Sequence, residues 1–436
     1  MALKRINIQD LKLGMFVSEL DISWVKSPFF RHKRLIVKQE DIELLKKAGV
    51  ESLVIDVDKS KVAVPDPKSV PKPASLNEAV TNADSVDAEG AAETNEDKTV
   101  IQKPAPEKKG SPFMKAPKVP LKEEFKVAKR IQSEVLNAVD QIQSAFETGR
   151  SVSQEQVNPV VEKTLESIDN NSQAIMALLH EGRDGGKIAT HSFGVFALVL
   201  LLSSHLEYSV EDQQALGLAA LTHDAGWTKL PTHLMGKGKP YTASEKKLVA
   251  QHIPIVKGMV KQQAELSEGV ISAIEQHHEY LDGSGYPMQL KEESIHPWAR
   301  LLATCNEYDE LVHGLGESPG MTPQNALSAL FQLSKKGKLD RYFTTNLISL
   351  LGVYPLGSAV ELDNGQIGVV IEISHQSPLK PIVKVFYDKA KTKAANPSKV
   401  SLLDKDIKIK RVLDLYGKDS HLDPEKLLVF SGDMLQ

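Results

Sequence analysis

The chain has almost no cysteine and no excess of positive charge. Cys305 is the single cysteine among 436 residues, so no disulfide can close within the chain. The formal net charge is −4, which argues against general binding of a nucleic acid polymer, because such binding needs many Lys and Arg side chains. We therefore expect a cytoplasmic protein that binds any phosphate-bearing partner locally.

Long apolar runs are also missing. The most apolar stretch, residues 193–202, covers about half of the roughly 20 residues that a membrane span requires. The opening residues have no apolar segment of the kind found in a signal peptide. We interpret residues 193–202 as a buried helix and expect no association with a membrane.

The residues that are present divide the chain into five regions. A chain of 436 residues exceeds what one core usually supports, and 41% hydrophobic residues is ample for globular cores. The predicted regions are a small α/β domain (1–60), a disordered linker rich in Pro, Ala and charge (61–120), an amphipathic connecting helix (121–150), a helical domain (151–350) and a β-rich appendage (351–436). The fold is thus predicted to be mainly α.

Local patterns predict individual elements in the two terminal regions. In the first region we expect a strand at 15–17, a helix from Gln39 that stops at Gly49, and a strand at 53–55. In the last region, an Asn364-Gly365 turn separates two apolar runs and predicts a hairpin. A third strand is predicted at 382–387.

The connecting helix carries one apolar stripe. Its members recur every three or four residues: Leu121, Phe125, Ala128, Ile131, Val135, Val139, Ile142 and Phe146. Such a stripe must meet a partner surface. Two interpretations stay open, packing against the following domain and a coiled coil between two copies of the chain.

Histidine and aspartate concentrate in the helical region. A single histidine on an apolar helix is more often a hydrogen-bonded core residue than a ligand, and His205, His233 and His313 carry only that interpretation. Six metal-type ligands on apolar helices are different, because burying them without partners would cost several kcal/mol that a metal ion offsets. They are His191, His223, Asp224, His252, His277 and His278.

Two motifs resemble a known family. His223-Asp224-Ala-Gly226 and the longer His277-His278-Glu279-Tyr-Leu-Asp282-Gly-Ser-Gly285-Tyr286-Pro287 resemble the HD-GYP branch of the HD-domain metal phosphohydrolases. The opening 60 residues resemble the uncharacterised domain that often precedes it. The resemblance implies an HD-type phosphohydrolase domain at 151–350. Together with the sequence patterns, the predicted fold is an all-helical HD-type phosphohydrolase domain with a small N-terminal α/β unit and a small C-terminal β-rich appendage. The resemblance also implies hydrolysis of cyclic di-GMP to pGpG or GMP.

The resemblance also implies roles for residues. The six histidine and aspartate ligands would hold two transition-metal ions, Fe or Mn, with Asp224 as the bridge. Gly283, Gly285, Tyr286 and Pro287 would form a tight loop against the substrate.

The chain departs from the family at several positions. Trp227 replaces a phosphate-binding lysine, and Asn306 replaces the last metal-ligand aspartate. Residues 317–322 replace a basic segment, and Lys187 replaces a glutamate of the members with three metals, so we expect no third metal. Lys229 can substitute for the missing lysine only if the helix has ended before it, and Lys237 and Lys239 are further candidates for phosphate contact.

Two functions of different classes follow. The first is a metal-dependent cyclic di-GMP phosphodiesterase of bacterial signalling, with Asp224, Trp227 and Lys229 as catalytic candidates. The second is a catalytically weak or inactive receptor that binds cyclic di-GMP and passes the signal to a protein partner through the N-terminal unit. A homodimer is compatible with either function. A general nucleotide phosphatase of the wider HD superfamily is a third possibility.

Overall fold

The computed structural model of the chain describes most of the two terminal units and nearly all of the helical region. The described residues are 3–20, 34–36, 39–47, 50, 52–57, 60, 62, 116–150, 152–180, 188–261, 266–317, 319–373, 377, 379–390, 392–404, 406–415, 419 and 422. They belong to two compact units, Met1–Pro106 and Glu107–Gln436. Residues 63–115, most of the predicted linker 61–120, lie outside this set.

The N-terminal unit is a small α/β structure. Its elements are β1 (Leu3–Asn7), β2 (Phe16–Leu20), β3 (Arg34–Leu35), α1 (Gln39–Lys47) and β4 (Ser52–Asp56). The four strands form an antiparallel sheet in the order β1-β4-β2-β3. Ile6, Met15, Leu45 and Ile55 are buried together in its core. The predicted helix and two strands are present, and β1 and β3 complete the sheet.

The second unit is mainly helical. Its helices are α2 (Leu121–Glu147), α3 (Gln154–Met176), α4 (Ile188–His205), α5 (Val210–Thr222), α6 (Ala243–Val249), α7 (His252–Lys261), α8 (Glu268–Gln276), α9 (Pro297–His313), α10 (Pro323–Lys335) and α11 (Arg341–Leu351). The predicted fold class, mainly α with small terminal units, is confirmed.

Helix α4 lies at the centre of this unit. Residues 193–202 are all buried, as the sequence predicted. By length and composition α4 could cross a membrane, but 72% of it is buried inside the protein. A helix that is apolar on every side and covered by other helices is a core helix.

Helix α2 packs its apolar stripe on the chain's own helices. Seven of the eight stripe residues are buried and Leu121 is half-buried. The helix lies against α3, α4 and α5. The first interpretation of the stripe, packing against the following domain, therefore describes its contacts within this chain.

The C-terminal sheet has five antiparallel strands. They are β5 (Ala359–Leu362), β6 (Ile367–Glu372), β7 (Ile382–Tyr387), β8 (Lys393–Ser401) and β9 (Ile409–Val412), in the order β8-β7-β6-β5-β9. The hairpin β5-β6 and the strand β7 were predicted. Strand β8 was not, because it is polar and contains Pro397, residues that a sheet accepts at its edge. This sheet shares one continuous hydrophobic core with the helices.

Candidate metal centre

Three of the predicted ligand histidines lie at the ends of helices. His223 follows α5 and His277 follows α8. His252 is the first residue of α7 and lies three residues after the end of α6. The last carbonyl groups of a helix have no partner within it, so each histidine can donate its Nδ1 hydrogen to the carbonyl three residues earlier. The Nδ1–O distances are 2.7 Å to Ala220, 2.6 Å to Val249 and 2.7 Å to Ile274. Each Nε2 therefore keeps its lone pair for a ligand.

Asp224 lies between two pairs of histidines. Its Oδ2 is 3.4 Å from His191 Nε2 and 3.6 Å from His223 Nε2. Its Oδ1 is 3.4 Å from the Nε2 atoms of both His252 and His277. Two atoms that bind one ion at about 2.0–2.2 Å lie roughly 3.0–3.5 Å apart, so these spacings suit a carboxylate that bridges two ions.

Buried atoms without partners support the fit of this donor set to metal ions. Among the described residues, both carboxylate oxygens of Asp224 and the Nε2 atoms of His252 and His277 are buried and accept no hydrogen bond. Each unsatisfied buried polar group costs about 1–3 kcal/mol. Two candidate metal groups result, one of His191, His223 and Asp224 and the other of Asp224, His252, His277 and His278.

The protonation states also suit metal binding. Burial lowers the pKa of His223 to about 3 and that of His252 to about 4. Burial, together with the neighbouring His277 and His252, holds the pKa of His278 well below its usual value. Burial opposes ionisation of Asp224, but the surrounding histidines outweigh it and keep the pKa of Asp224 well below normal. Neutral imidazoles around an ionised carboxylate are the forms that bind transition metals.

Asn306 lies on α9 beside the first group. Its Oδ1 is 3.0 Å from His191 Nε2 and 3.1 Å from His223 Nε2. The structure thus brings the predicted seventh ligand to the same place as the six histidine and aspartate ligands.

Sequence reasoning missed Asp309, which holds His191 in place. The Nδ1 of His191 lies 2.7 Å from Asp309 Oδ2. A carboxylate at the second nitrogen of a ligand histidine fixes the orientation of the ring. Burial works against ionisation of Asp309, but His313 and His191 outweigh it and lower its pKa to about 2. The sequence feature that could have identified Asp309 is its spacing, because it is three residues from Asn306 and lies on the same face of α9.

His191 carries the opposite electrostatic balance. Burial disfavours its charged form, yet the neighbouring carboxylates of Asp224 and Asp309 raise the pKa of His191 well above normal. Gly194 allows this contact, because a Cβ at that position would lie 2.0 Å from Asp309 Oδ1. The position of the Asp309 carboxylate against α4 therefore favours glycine there.

Trp227 and Lys229 lie on the short 3₁₀ helix Ala225–Lys229 that follows Asp224. The indole of Trp227 is 8% exposed and stacks on the His252 imidazole, with ring centroids 5.4 Å apart and planes 19° apart. It packs with Leu230, Leu234 and Val249. The Lys229 side chain is exposed. The structure brings Trp227 against a ligand and does not bring Lys229 into the cluster.

The Gly-Tyr-Pro loop lies directly beside the second group. The Tyr286 ring stacks on His278, with centroids 4.7 Å apart, and Tyr286 N donates to the His278 carbonyl at 3.1 Å. Gly283 has φ +78°, and a Cβ at Gly285 would lie 2.3 Å from Tyr280 N, so the tight path needs glycine at both. The Tyr286–Pro287 peptide is cis.

Glu279 holds the far side of this loop, a role that sequence reasoning did not assign. Its buried carboxylate accepts hydrogen bonds from Met288 N at 2.6 Å and from Leu290 N at 2.9 Å. The loop is therefore fixed at one end by the backbone of His278 and at the other by Glu279.

Two further carboxylates on α9 face the rim of the site. Glu310 accepts a hydrogen bond from Asn306 Nδ2 at 2.8 Å, and Glu307 accepts one from the Tyr280 hydroxyl at 2.9 Å. Burial, and then the neighbouring Glu307 carboxylate, raise the pKa of Glu310 to about 8. Neither residue stood out in the sequence, since carboxylates on a helix are usually solvated.

Three family descriptions match successive parts of the chain. A domain of unknown function, DUF3391, matches residues 3–157. The HD domain matches residues 155–342, which contain every predicted ligand. A KOW domain associated with the HD domain matches residues 359–417, which include the C-terminal sheet.

Two curated relatives carry related names. The cyclic di-GMP phosphodiesterase PA4108 of Pseudomonas aeruginosa is 28% identical over 91% of this chain and 88% of that protein. The cyclic di-GMP phosphodiesterase PdeB of Borreliella burgdorferi is 22% identical over 51% of this chain and 59% of that protein.

A solved structure, the HDG"Y"P protein Bd1817 of Bdellovibrio bacteriovorus, matches with a TM-score of 0.44 and 17% identity, over 80% of this chain and 99% of that chain. The chain therefore has an HD domain, with a DUF3391 domain before it and an HD-associated KOW domain after it, and it is similar to proteins named cyclic di-GMP phosphodiesterases.

Proposed function

We propose that the chain hydrolyses cyclic di-GMP at a centre of two transition-metal ions. The observation that carries the proposal is the position of Asp224, whose two oxygens each face a different pair of histidines at 3.4–3.6 Å. The similarity to PA4108 and PdeB, both named cyclic di-GMP phosphodiesterases, supports cyclic di-GMP as the substrate.

The ligand set defines what the two ions would be. His191, His223 and Asn306 would hold one ion, His252, His277 and His278 the other, and Asp224 would bridge them. Mixed imidazole and carboxylate sets suit Fe, Mn or Zn, and of these we propose Fe or Mn. When bound, such ions activate water as a nucleophile and neutralise the charge that grows on the phosphoryl oxygens.

The protein's own residues orient the ligands and the substrate. Asp309 fixes the His191 ring, Trp227 stacks on His252, and the backbone carbonyls of helix ends fix the other imidazoles. The loop of Gly283, Gly285, Tyr286 and Pro287 lies against His278 and offers backbone for contact with the dinucleotide. Because this loop is held at both ends, it can orient the phosphodiester without rearranging.

The cellular setting of this activity is a further part of the proposal. We infer that the chain acts in cytoplasmic signalling, with the N-terminal unit as the surface for a protein partner. A measurement of the mass of the purified chain in solution would show whether it forms a dimer.

Direct measurement of turnover tests the proposal. The purified full chain, reloaded anaerobically with Fe²⁺ or Mn²⁺, should convert cyclic di-GMP to pGpG or GMP, resolved by chromatography. Asp224→Asn should abolish conversion, because the isosteric amide removes the bridging charge. His233→Ala, which alters an exposed histidine, is the matched control and should keep the wild-type rate.

The alternative outcome identifies a receptor. If wild-type chain with metal contents near two equivalents leaves cyclic di-GMP intact, yet binds it with micromolar or tighter affinity, the phosphodiesterase proposal is wrong. The chain would then act as a binding module.

A further inference from the structure

Asn306 presents its oxygen to the metal centre because Glu310 holds its nitrogen. The Nδ2 of Asn306 donates to Glu310 Oε1 at 2.8 Å, while Oδ1 faces His191 and His223. The two residues are four apart on α9 and therefore neighbours on one face. An amide nitrogen has no lone pair to offer a cation, so this hydrogen bond selects the useful orientation.

Glu310 also lies near one histidine of the second group, His278. Its Oε1 lies 3.9 Å from His278 Nε2. Two atoms bound to one ion at about 2.0–2.2 Å can lie up to roughly 4.4 Å apart, so one cation can contact both residues. A carboxylate has two oxygens and about four acceptor sites, so accepting from Asn306 leaves capacity for an ion.

The charge of the donor set gives the physical reason for a second carboxylate. The five histidines and the Asn306 amide are neutral ligands, which leaves Asp224 as the one negative ligand for two divalent cations. Positive charge that is buried without compensation is costly, so a nearby carboxylate stabilises the loaded centre. Glu310 is the carboxylate that contacts Asn306 and lies beside His278.

We propose that Glu310 is the second carboxylate of the metal centre, where it binds the ion on the His278 side and orients Asn306. It thereby supplies the negative charge that an aspartate at position 306 would have supplied. The inference rests on the proposed function in one respect, since it assumes the two-metal centre. The neighbouring Glu307 differs, because its carboxylate accepts a hydrogen bond from Tyr280.

Mn²⁺ binding to the full chain tests this role without any substrate. Isothermal titration, with competition against a chelating indicator, gives the affinity of each equivalent. Glu310→Gln should weaken the second equivalent at least tenfold, whereas Glu307→Gln on the same helix should stay within threefold of wild type. The double variant Asn306→Asp, Glu310→Gln restores the negative charge at position 306, one helical turn before position 310. Its affinity for the second equivalent of Mn²⁺ should return to within threefold of wild type.

Three results would overturn the inference. They are a Glu310→Gln affinity within threefold of wild type, an equal loss in Glu307→Gln, and a loss that Asn306→Asp does not recover. Circular dichroism checks folding; if Glu310→Gln does not fold, Glu310→Asp takes its place. Shortening the side chain should weaken the second equivalent at least threefold, and unchanged affinity would count against the proposal.

The outcomes separate this inference from the proposed function. If the chain binds two equivalents of Mn²⁺ through Glu310 but leaves cyclic di-GMP intact, the proposed function is wrong and the ligand role of Glu310 stands. If the chain cleaves cyclic di-GMP while Glu310→Gln binds Mn²⁺ normally, the proposed function stands and the ligand role of Glu310 is wrong.

Discussion

At the scale of single residues, the site depends on polar atoms that are buried without partners. Asp224 has a side chain that is 1% exposed, and both of its oxygens lack a hydrogen bond. Such an arrangement is unfavourable in a folded protein unless a ligand satisfies it. A metal ion facing each oxygen accounts for the burial, for the lowered pKa values of His223, His252 and His278, and for the ionised carboxylate together.

Removing two of these ligands should empty the centre. We expect the His223→Ala, Asp224→Ala double variant to retain less than half an equivalent of metal after reconstitution, because both groups share Asp224. Elemental analysis of the desalted protein gives the content. Metal content equal to that of wild type would show that the ions bind elsewhere.

Trp227 offers a test of ligand orientation. Its indole stacks on His252, so Trp227→Phe should keep a ring on the imidazole and keep the Mn²⁺ affinity within about threefold of wild type. Trp227→Ala should weaken the Mn²⁺ affinity by about tenfold, because His252 loses an orienting partner. Titration with Mn²⁺ measures both. Equal affinities of Trp227→Ala and wild type would limit the indole to packing.

At the scale of elements, the site depends on how closely helices α4 and α9 approach each other. The sequence signal for this approach is a glycine, since Gly194 lies where any side chain would meet Asp309. Glycine at position 194 lowers the stability of the helix, because glycine within a helix is less favourable than alanine by about 0.5–1 kcal/mol. The absence of a side chain allows the Asp309 carboxylate to reach His191.

Gly194→Ala should therefore displace Asp309. We expect the free energy of unfolding to fall by about 1–3 kcal/mol, as in overpacked cores, and Mn²⁺ affinity to fall by about tenfold, because the His191 ring loses its partner. Gly258→Ala on α7 is the matched control, since a Cβ there meets nothing within 4 Å. It should raise stability slightly. Chemical denaturation and metal titration distinguish the two variants.

At the scale of the whole second unit, the C-terminal sheet and the helices form one core. Gln173 of α3 joins them, because its Oε1 accepts from Ile373 N at 2.8 Å and its Nε2 donates to the Ile373 carbonyl at 3.3 Å. His180 makes a second link, with one ring nitrogen 2.9 Å from the Leu356 carbonyl and the other 3.0 Å from the Tyr308 hydroxyl. The residues that flank β5 and β6 are therefore hydrogen-bonded to α3 and, through His180, connected to α9.

Breaking this link should lower the stability of sheet and helices together. Gln173→Leu leaves two buried backbone groups unpaired, so we expect a loss of about 2–4 kcal/mol. Gln214→Leu, which removes an exposed hydrogen bond with Glu162, should cost less than about 0.5 kcal/mol. Urea unfolding followed by circular dichroism and by tryptophan fluorescence should give coincident transitions. No tryptophan lies in residues 359–417, so a circular-dichroism transition that separates from the fluorescence transition in Gln173→Leu but not in wild type would mean that the sheet unfolds independently.

The sequence by itself determined the parts that depend on local pattern. Apolar periodicity predicted α2 and its stripe, the Asn364-Gly365 turn predicted the hairpin β5-β6, and a fully apolar run predicted the buried α4. The motif residues predicted which histidines and which aspartate to consider together. These features are encoded within a few residues of one another, so no tertiary information is needed.

Tertiary structure decided everything that depends on contacts between distant segments. It brought Asp309 to His191, Trp227 to His252 and Glu310 to Asn306 and His278, contacts for which the chain carries at most a spacing or a glycine as a signal. It also decided that α2 packs on its own chain and that polar β8 can serve as an edge strand. The physical reason is that a side chain's role depends on the atoms packed against it, and packing joins residues far apart in sequence.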